Sequence, residues 1–349
     1  MSSTDRPLVF DGHNDVLLRL WMGRPDAISG FAAGSGGHVD APRSRVGGFG
    51  GGFFAIFVPG DLTFDIEPLL KSEYHVPMPD PLDHSEGLRV TMEQAAILIA
   101  LDQRGDVALC RSAADVSAAM DTGRIAAIMH IEGAEAIGPD LAELDVLYAA
   151  GLRSVGPVWS RNTIFAHGVP FTYPADGDTG PGLTDTGKAL ARRVQELGMV
   201  FDTSHLNMAG FWDVAELGLP LVATHSNAHA ICPHSRNLTD DQLRAVGETG
   251  GMVGLNFVTA FLRPDGQMRP EGAFEHMIRH LDHMIGLAGE DHVALGSDFD
   301  GGVMPAEIGS VSGLNALRGA MRDAGYGDAL ISKICHENWL SCLRTCLRG

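Results

Sequence analysis

Eight short apolar runs of strand length recur along the chain, at residues 8–15, 53–58, 125–133, 152–159, 199–205, 220–225, 251–258 and 292–298, most of them separated by helix-length segments. A continuous apolar run bounded by turn residues suits a strand buried on both faces, as in parallel sheets covered by helices. The alternation predicts an α/β fold, a (β/α)8 TIM-type barrel, better than two separate domains. Residues 1–349 are expected to form this single barrel domain, with extra C-terminal helices at 311–324 and 327–347. Further helices are expected at 90–104, 113–120, 141–150, 186–197, 208–217, 240–248 and 272–288. The glycine-rich segment 30–52 reads as a sharply bending loop, and the proline-rich segment 61–89 as an excursion over one face.

The runs are apolar along their length and chemically loaded at their carboxyl ends: His13 and Asp15, Glu132, His205, His225 and Asp298. In such barrels the carboxyl ends of the strands meet at one rim, where active sites are built. Taken alone, His13 and Asp15 fit a metal-binding strand end or a polar loop capping a strand, and any one of the others fits a satisfied buried polar group. Their common position points to a metal site, because so many desolvated polar groups need a compensating partner. One zinc takes about four ligands, so five protein ligands with a bridging carboxylate suit two ions better. The chain has three lysines: Lys71 in the excursion, Lys188 and Lys333 in expected helices. None stands at a strand end to serve as a carboxylated bridge, which leaves Glu132. In the loop after the sixth run, Arg236 can bind a carboxylate through two parallel hydrogen bonds or pair with a nearby acid.

Composition narrows the class further. With 25 basic against 44 acidic residues the formal charge is −19, which opposes phosphate neutralisation and argues against nucleic-acid binding. No run of about 18 apolar residues suggests a membrane span, and residues 1–7 show no apolar core of a secretory signal. Five scattered cysteines read as reduced thiols in a cytoplasmic protein, with Cys342 and Cys346 as core or interface residues. His276, His280 and His283 share one helix face, but no glutamate follows His276 as a zinc-protease helix requires, so a solvated face is expected.

Several motifs, in order, resemble the membrane or renal dipeptidase family of binuclear zinc peptidases among the amidohydrolase-like barrels. They are Asp11-Gly12-His13-Asn14-Asp15, Ile131-Glu132-Gly133, Gly182-Leu183-Thr184-Asp185-Thr186-Gly187-Lys188 and Asp202-Thr203-Ser204-His205. Thr224-His225-Ser226, His234-Ser235-Arg236-Asn237 and Gly296-Ser297-Asp298-Phe299-Asp300-Gly301 complete the set. The resemblance implies two zinc ions per chain, or other divalent ions, with His13 and Asp15 on one, His205 and His225 on the other, and Glu132 bridging. It implies a hydroxide between the ions attacking a dipeptide, L-Xaa-D-Xaa substrates included, with Asp298 as general acid and base. Arg236 would hold the substrate carboxylate, with Asn237 beside it, and a homodimer is what the family suggests.

One departure stands out. Where many family members carry a histidine near the end of strand four, this chain has Trp159, which can donate one hydrogen bond but cannot carry a proton as imidazole does. Trp159 is therefore expected at the substrate, with His167 able to reach in from the loop. Asp11 is expected to support the site, orienting a ligand histidine. Rival readings are an amidohydrolase acting on N-acyl amino acids or lactones, and a barrel that binds peptides without turnover.

Overall fold

The computed structural model describes residues 7–23, 26–34, 36–61 and 65–348; residues 1–6, on which the reading of a secretory signal partly rests, lie outside the described residues. The barrel strands are β1 (Val9–Asn14), β2 (Phe49–Phe57), β3 (Ile125–Glu132), β4 (Leu152–Gly156), β5 (Val200–Phe201), β6 (Val222–Ala223), β7 (Met252–Leu255) and β8 (Val293–Leu295). Parallel pairing runs from β1 through β5 and again from β6 to β8. Single parallel bridges from Asp202 to Val222 and from Asn14 to Phe299 close the circle.

Local chemistry explains the helices between the strands. Ser112 with Asp115 and Thr239 with Gln242 form capping boxes, while Thr184 and Asn207 each accept a hydrogen bond from a first-turn amide. These side chains satisfy amide groups that a helix start leaves open.

The glycine-rich segment is more ordered than expected. It holds the end of the helix Asp26–Ala33 and the whole of the helix Ala41–Gly47, and β2 begins inside the glycine run at Phe49. The glycines let neighbouring strands approach: a Cβ on Gly51, whose φ is 153°, would stand 2.2 Å from Ala126 O, and one on Gly52 would stand 2.6 Å from Asp11 O. A further parallel strand, Val107–Leu109, pairs with the first half of β3, whose second half pairs with β4. Three residues are too few to show a period, so this strand is invisible in the sequence.

Two features frame the barrel ends. At the rim, Tyr74–Val76 from the proline-rich excursion pairs antiparallel with Phe171–Tyr173 from the loop after β4. At the opposite end, Trp339 of the helix Asn338–Cys346 plugs the floor. Its ring lies 5.1 Å from that of Phe53, and its Nε1 donates to Leu295 O at 2.8 Å. Cys342 and Cys346 of the same helix are thiols with sulfurs 3.9 Å apart.

The histidine face expected to be solvated is so only in part: His276 and His283 are half-buried, but His280 is fully buried, accepting from Ala228 N at 3.1 Å while its Nε2 lies 3.0 Å from Leu262 O. Among the described residues no helix is long and apolar enough to cross a membrane.

Candidate metal centre

Glu132, the last residue of β3, sits between two pairs of ligand-type side chains. Its Oε2 is 3.7 Å from His13 Nε2, which is 3.5 Å from Asp15 Oδ2. Its Oε1 is 3.0 Å from His205 Nε2 and 3.3 Å from His225 Nε2, and those two nitrogens are 3.2 Å apart. Each oxygen of one carboxylate thus faces its own pair, and all five residues are buried. The triplets His13–Asp15–Glu132 and Glu132–His205–His225 each bring their ligand atoms within 4.8 Å of one another.

Strand geometry delivers this cluster. In β3, Ala126, Ile128, His130 and Glu132 face the interior, as alternation requires. In β1 the pairing register with β2 is irregular between Asp11 and Asn14, the stretch that sets Gly12 against Thr224 O and Trp339 and brings His13 into the cluster. His205 and Asp298 follow their strands with φ of 62° each, and Asp300 with φ of 69°. Such conformations cost a non-glycine residue on the order of 1–3 kcal/mol and persist where surroundings enforce them. The enforcing bonds include Asp298 N donating to His13 O at 3.0 Å and Val169 N donating to His205 O at 3.0 Å.

The electrostatics suit a cation. Burial holds His205 and His225 well below the usual imidazole range, with Arg236 and His13 adding to the effect, so both rings are neutral. Burial also opposes charge on His13, but Glu132, Asp15 and Asp298 outweigh it and push that imidazole up to about 10. Among the described residues neither ring nitrogen of His13 has a hydrogen-bond partner. Two buried neutral imidazoles, a third imidazole held among carboxylates, and those carboxylates themselves are the donor set of a divalent metal.

Asp298 stands beside this cluster. Burial, and then Asp15, lift its carboxyl to about 6 against the opposing pull of His13, Asn256 and Arg236. Asn256 donates to its Oδ2 at 2.9 Å. Gly301 leaves room at its other oxygen, since a Cβ there would stand 2.2 Å from Asp298 Oδ1 and 2.3 Å from Asp15 Oδ2.

Arg236 is buried behind His225, donating from Nη2 to His225 O at 3.1 Å and from Nη1 to Ser226 Oγ at 3.5 Å, with its guanidinium 5.6 Å from the Phe261 ring centre. Its Nε has no partner, and among the described residues no carboxylate pairs with it, so the loop-holding ion pair is not what the structure has. A cavity of 470 Å³ opens onto Asp15, Glu132, His205 and Asp298, with Leu18, Leu69, Phe171, Met268 and Val303 in its apolar wall. Trp159 lines it too, its ring 5.8 Å from that of His205.

Three expectations need correction. Asn237 does not line the cavity; its Nδ2 donates to Cys232 O and Phe261 O, both at 2.9 Å, and braces the loop that carries Arg236. His167 does not reach in; its Nδ1 lies 3.3 Å from Gly182 O. Among the described residues Asp11 has no hydrogen bond to a ligand imidazole: beside the His13 backbone amide its carboxylate accepts from Ser297 N at 2.6 Å and Ser297 Oγ at 2.7 Å, tying β1 to the residue before Asp298.

Other residues of the site escaped the sequence reading. Ser160 Oγ lies 2.9 Å from His205 Nδ1, and Thr224 Oγ1 lies 2.9 Å from His225 Nδ1. His130 shares the inward parity of Glu132, a signal that was available; its Nδ1 meets Ser154 Oγ at 2.9 Å and its Nε2 lies 3.5 Å from Asp202 Oδ2.

Comparison with known proteins narrows the class. The family model for membrane dipeptidase, peptidase family M19, matches residues 4–347. A metallopeptidase from Rhodobacter sphaeroides, solved with a phosphinate mimic of the dipeptide L-Ala-D-Ala, is 48% identical with a TM-score of 0.96, over 98% of this chain and 100% of that one. The structure of dipeptidase AC, a family M19 metallopeptidase, is also 48% identical with a TM-score of 0.96, over 99% of this chain and 100% of its own. A Klebsiella pneumoniae protein, described as an uncharacterised protein in the pqqA 5′ region, is 45% identical over 268 residues, 76% of this chain and 97% of that protein. Barrel, donor set and relatives are those of a metallopeptidase. More narrowly, the chain belongs to the membrane dipeptidase family, peptidase family M19.

Proposed function

We propose that this protein hydrolyses dipeptides, L-Xaa-D-Xaa dipeptides among them, at a centre that takes two divalent ions, zinc first. His13 and Asp15 would hold one ion and His205 and His225 the other, with Glu132 shared. The observation that carries this reading is the division of the two Glu132 oxygens between two ligand pairs. Ions bound there supply Lewis acidity, which makes water a nucleophile near neutral pH and draws charge from the scissile carbonyl.

The chain's own side chains do the rest. Asp298, with a carboxyl near 6, takes a proton from the attacking water and returns it to the leaving amine. Asn256 engages one of its oxygens and leaves the other for that exchange. Arg236, a buried cation behind His225 and off the cavity wall, with no ion pair among the described residues, supplies the positive charge that draws the substrate carboxylate. The apolar wall and Trp159 accept the side chains and keep water out. The dipeptide mimic bound by the Rhodobacter sphaeroides relative supports this substrate class.

The test is hydrolysis of L-Ala-D-Ala with metal analysis of the same sample. Activity should vanish with the metal on chelation and return with zinc; undiminished turnover after complete metal removal would overturn the reading.

A further inference from the structure

Which nitrogen of His225 carries hydrogen is decided by its neighbours. Thr224 Oγ1 lies 2.5 Å from Asp202 Oδ2 and 2.9 Å from His225 Nδ1. Asp202 is buried, and its Oδ1 accepts from Ser204 N at 3.0 Å and Thr224 N at 2.9 Å. A carboxylate only accepts, so the single hydrogen of the Thr224 hydroxyl is directed at Asp202. Towards His225 that hydroxyl can then only accept. The imidazole must supply the hydrogen from Nδ1, which leaves the lone pair on Nε2, facing Glu132 Oε1 at 3.3 Å.

The other two histidines lack this arrangement. His205 Nδ1 meets Ser160 Oγ at 2.9 Å, a hydroxyl with no further partner among the described residues to set its direction. His13 Nδ1 has no partner. Asp202 also comes within 4.8 Å of ligand atoms of His13 and His225, as a metal ligand could. Its oxygens are already engaged by Thr224 and two backbone amides, so it stands behind His225 rather than on an ion.

We propose that Asp202, acting through Thr224, is a positioning residue that locks His225 in the Nδ1–H tautomer and thereby sets how tightly its half of the site holds metal. The effect on metal rests on the proposed role of His225 as a ligand; the lock itself is a property of the metal-free chain.

Asp202→Asn gives the decisive test. The two backbone amides keep the amide oxygen on their side, so the amide nitrogen faces Thr224 and donates to it. The hydroxyl then turns to donate to His225 Nδ1, and the imidazole hydrogen moves to Nε2. The Asp202–Thr224 and Thr224–His225 hydrogen bonds survive with their directions reversed, while the two from the backbone amides are unchanged.

Nitrogen-15 spectra of metal-free protein should show His225 as Nδ1–H in the wild type and Nε2–H in Asp202→Asn. Zinc retention against a chelator should weaken about 10- to 100-fold in Asp202→Asn, as loss of such support does elsewhere. Thr224→Val, nearly isosteric, should weaken it by a similar factor, and Thr224→Ser should restore it to within about threefold. A wild-type His225 in the Nε2–H form overturns the lock, as does an unchanged tautomer in Asp202→Asn. If Asp202→Asn does not fold, Thr224→Val decides, and zinc held as tightly as in the wild type overturns the proposal. Wild-type protein with the Nδ1–H signature that takes up no zinc would uphold the lock and overturn the metal centre instead.

Discussion

The two halves of the site are held in place by different means. His205 and His225 each set Nδ1 against a hydroxyl, of Ser160 and Thr224, whereas among the described residues no hydrogen bond reaches either ring nitrogen of His13. His13 is fixed by contact. Its ring lies 3.9 Å from that of His225 and meets His130 edge-on at 5.4 Å, and a Cβ on the preceding Gly12 would stand 2.2 Å from Thr224 O and 2.6 Å from Trp339. One half is aligned by polar neighbours at the rim. The other depends on close packing that reaches the floor, so it is tied to the stability of the whole barrel.

The severest way to break this contrast is to remove what the halves share. Glu132→Gln should lower kcat/KM at least about a thousandfold, roughly 4 kcal/mol of transition-state stabilisation, and empty both halves of metal. Retention of one full equivalent of zinc would mean that the halves are independent. Next in size, Gly12→Ala attacks the packed half and should destabilise the metal-free protein by about 1–3 kcal/mol in urea unfolding. A neutral outcome would remove packing as the explanation for His13. Ser160→Ala attacks the hydrogen-bonded half and should weaken zinc retention about tenfold while leaving the unfolding midpoint nearly unchanged.

The smallest effect concerns protons. With its pKa pushed up to about 10, His13 is protonated at neutral pH in the metal-free chain, whereas His205 and His225, held well below 6.5, are neutral. An ion entering the His13 half must displace that proton, so affinity there rises with pH until about 10. Calorimetry in buffers of different ionisation enthalpy should show His13→Ala releasing about one proton fewer per chain than the wild type on zinc uptake. His225→Ala should release no fewer, and equal losses from both variants would erase the distinction.

What could be read beforehand follows the same divide. His13, Asp15, Glu132, His205 and His225 were legible because each ends an apolar strand, and parallel strands of one barrel bring their ends together. Their supports were not. Ser160, Thr224 and Asn256 are ordinary polar residues whose role depends on a ring nitrogen or carboxylate brought from a distant strand, and no local pattern announces that. Asn237 was misplaced for a related reason: its neighbour Arg236 sits behind His225, and one step along an irregular loop turns the side chain towards Cys232 and Phe261. The glycine run of β2 read as a loop because its need is set by Ala126 and Asp11 on strands that pairing brings alongside.

Trp339 gives the order of synthesis a bearing on the metal centre. Every ligand-type residue from His13 to Asp298 leaves the ribosome before the helix that carries this indole. Until then Gly12 lacks the ring it packs against and Leu295 O lacks the donor that occupies it. A chain extended only as far as Asp298 therefore carries all six side chains while the strand that holds His13 still lacks a packing partner. The proposed metal centre would take its final form only once the helix Asn338–Cys346 has closed the barrel from below.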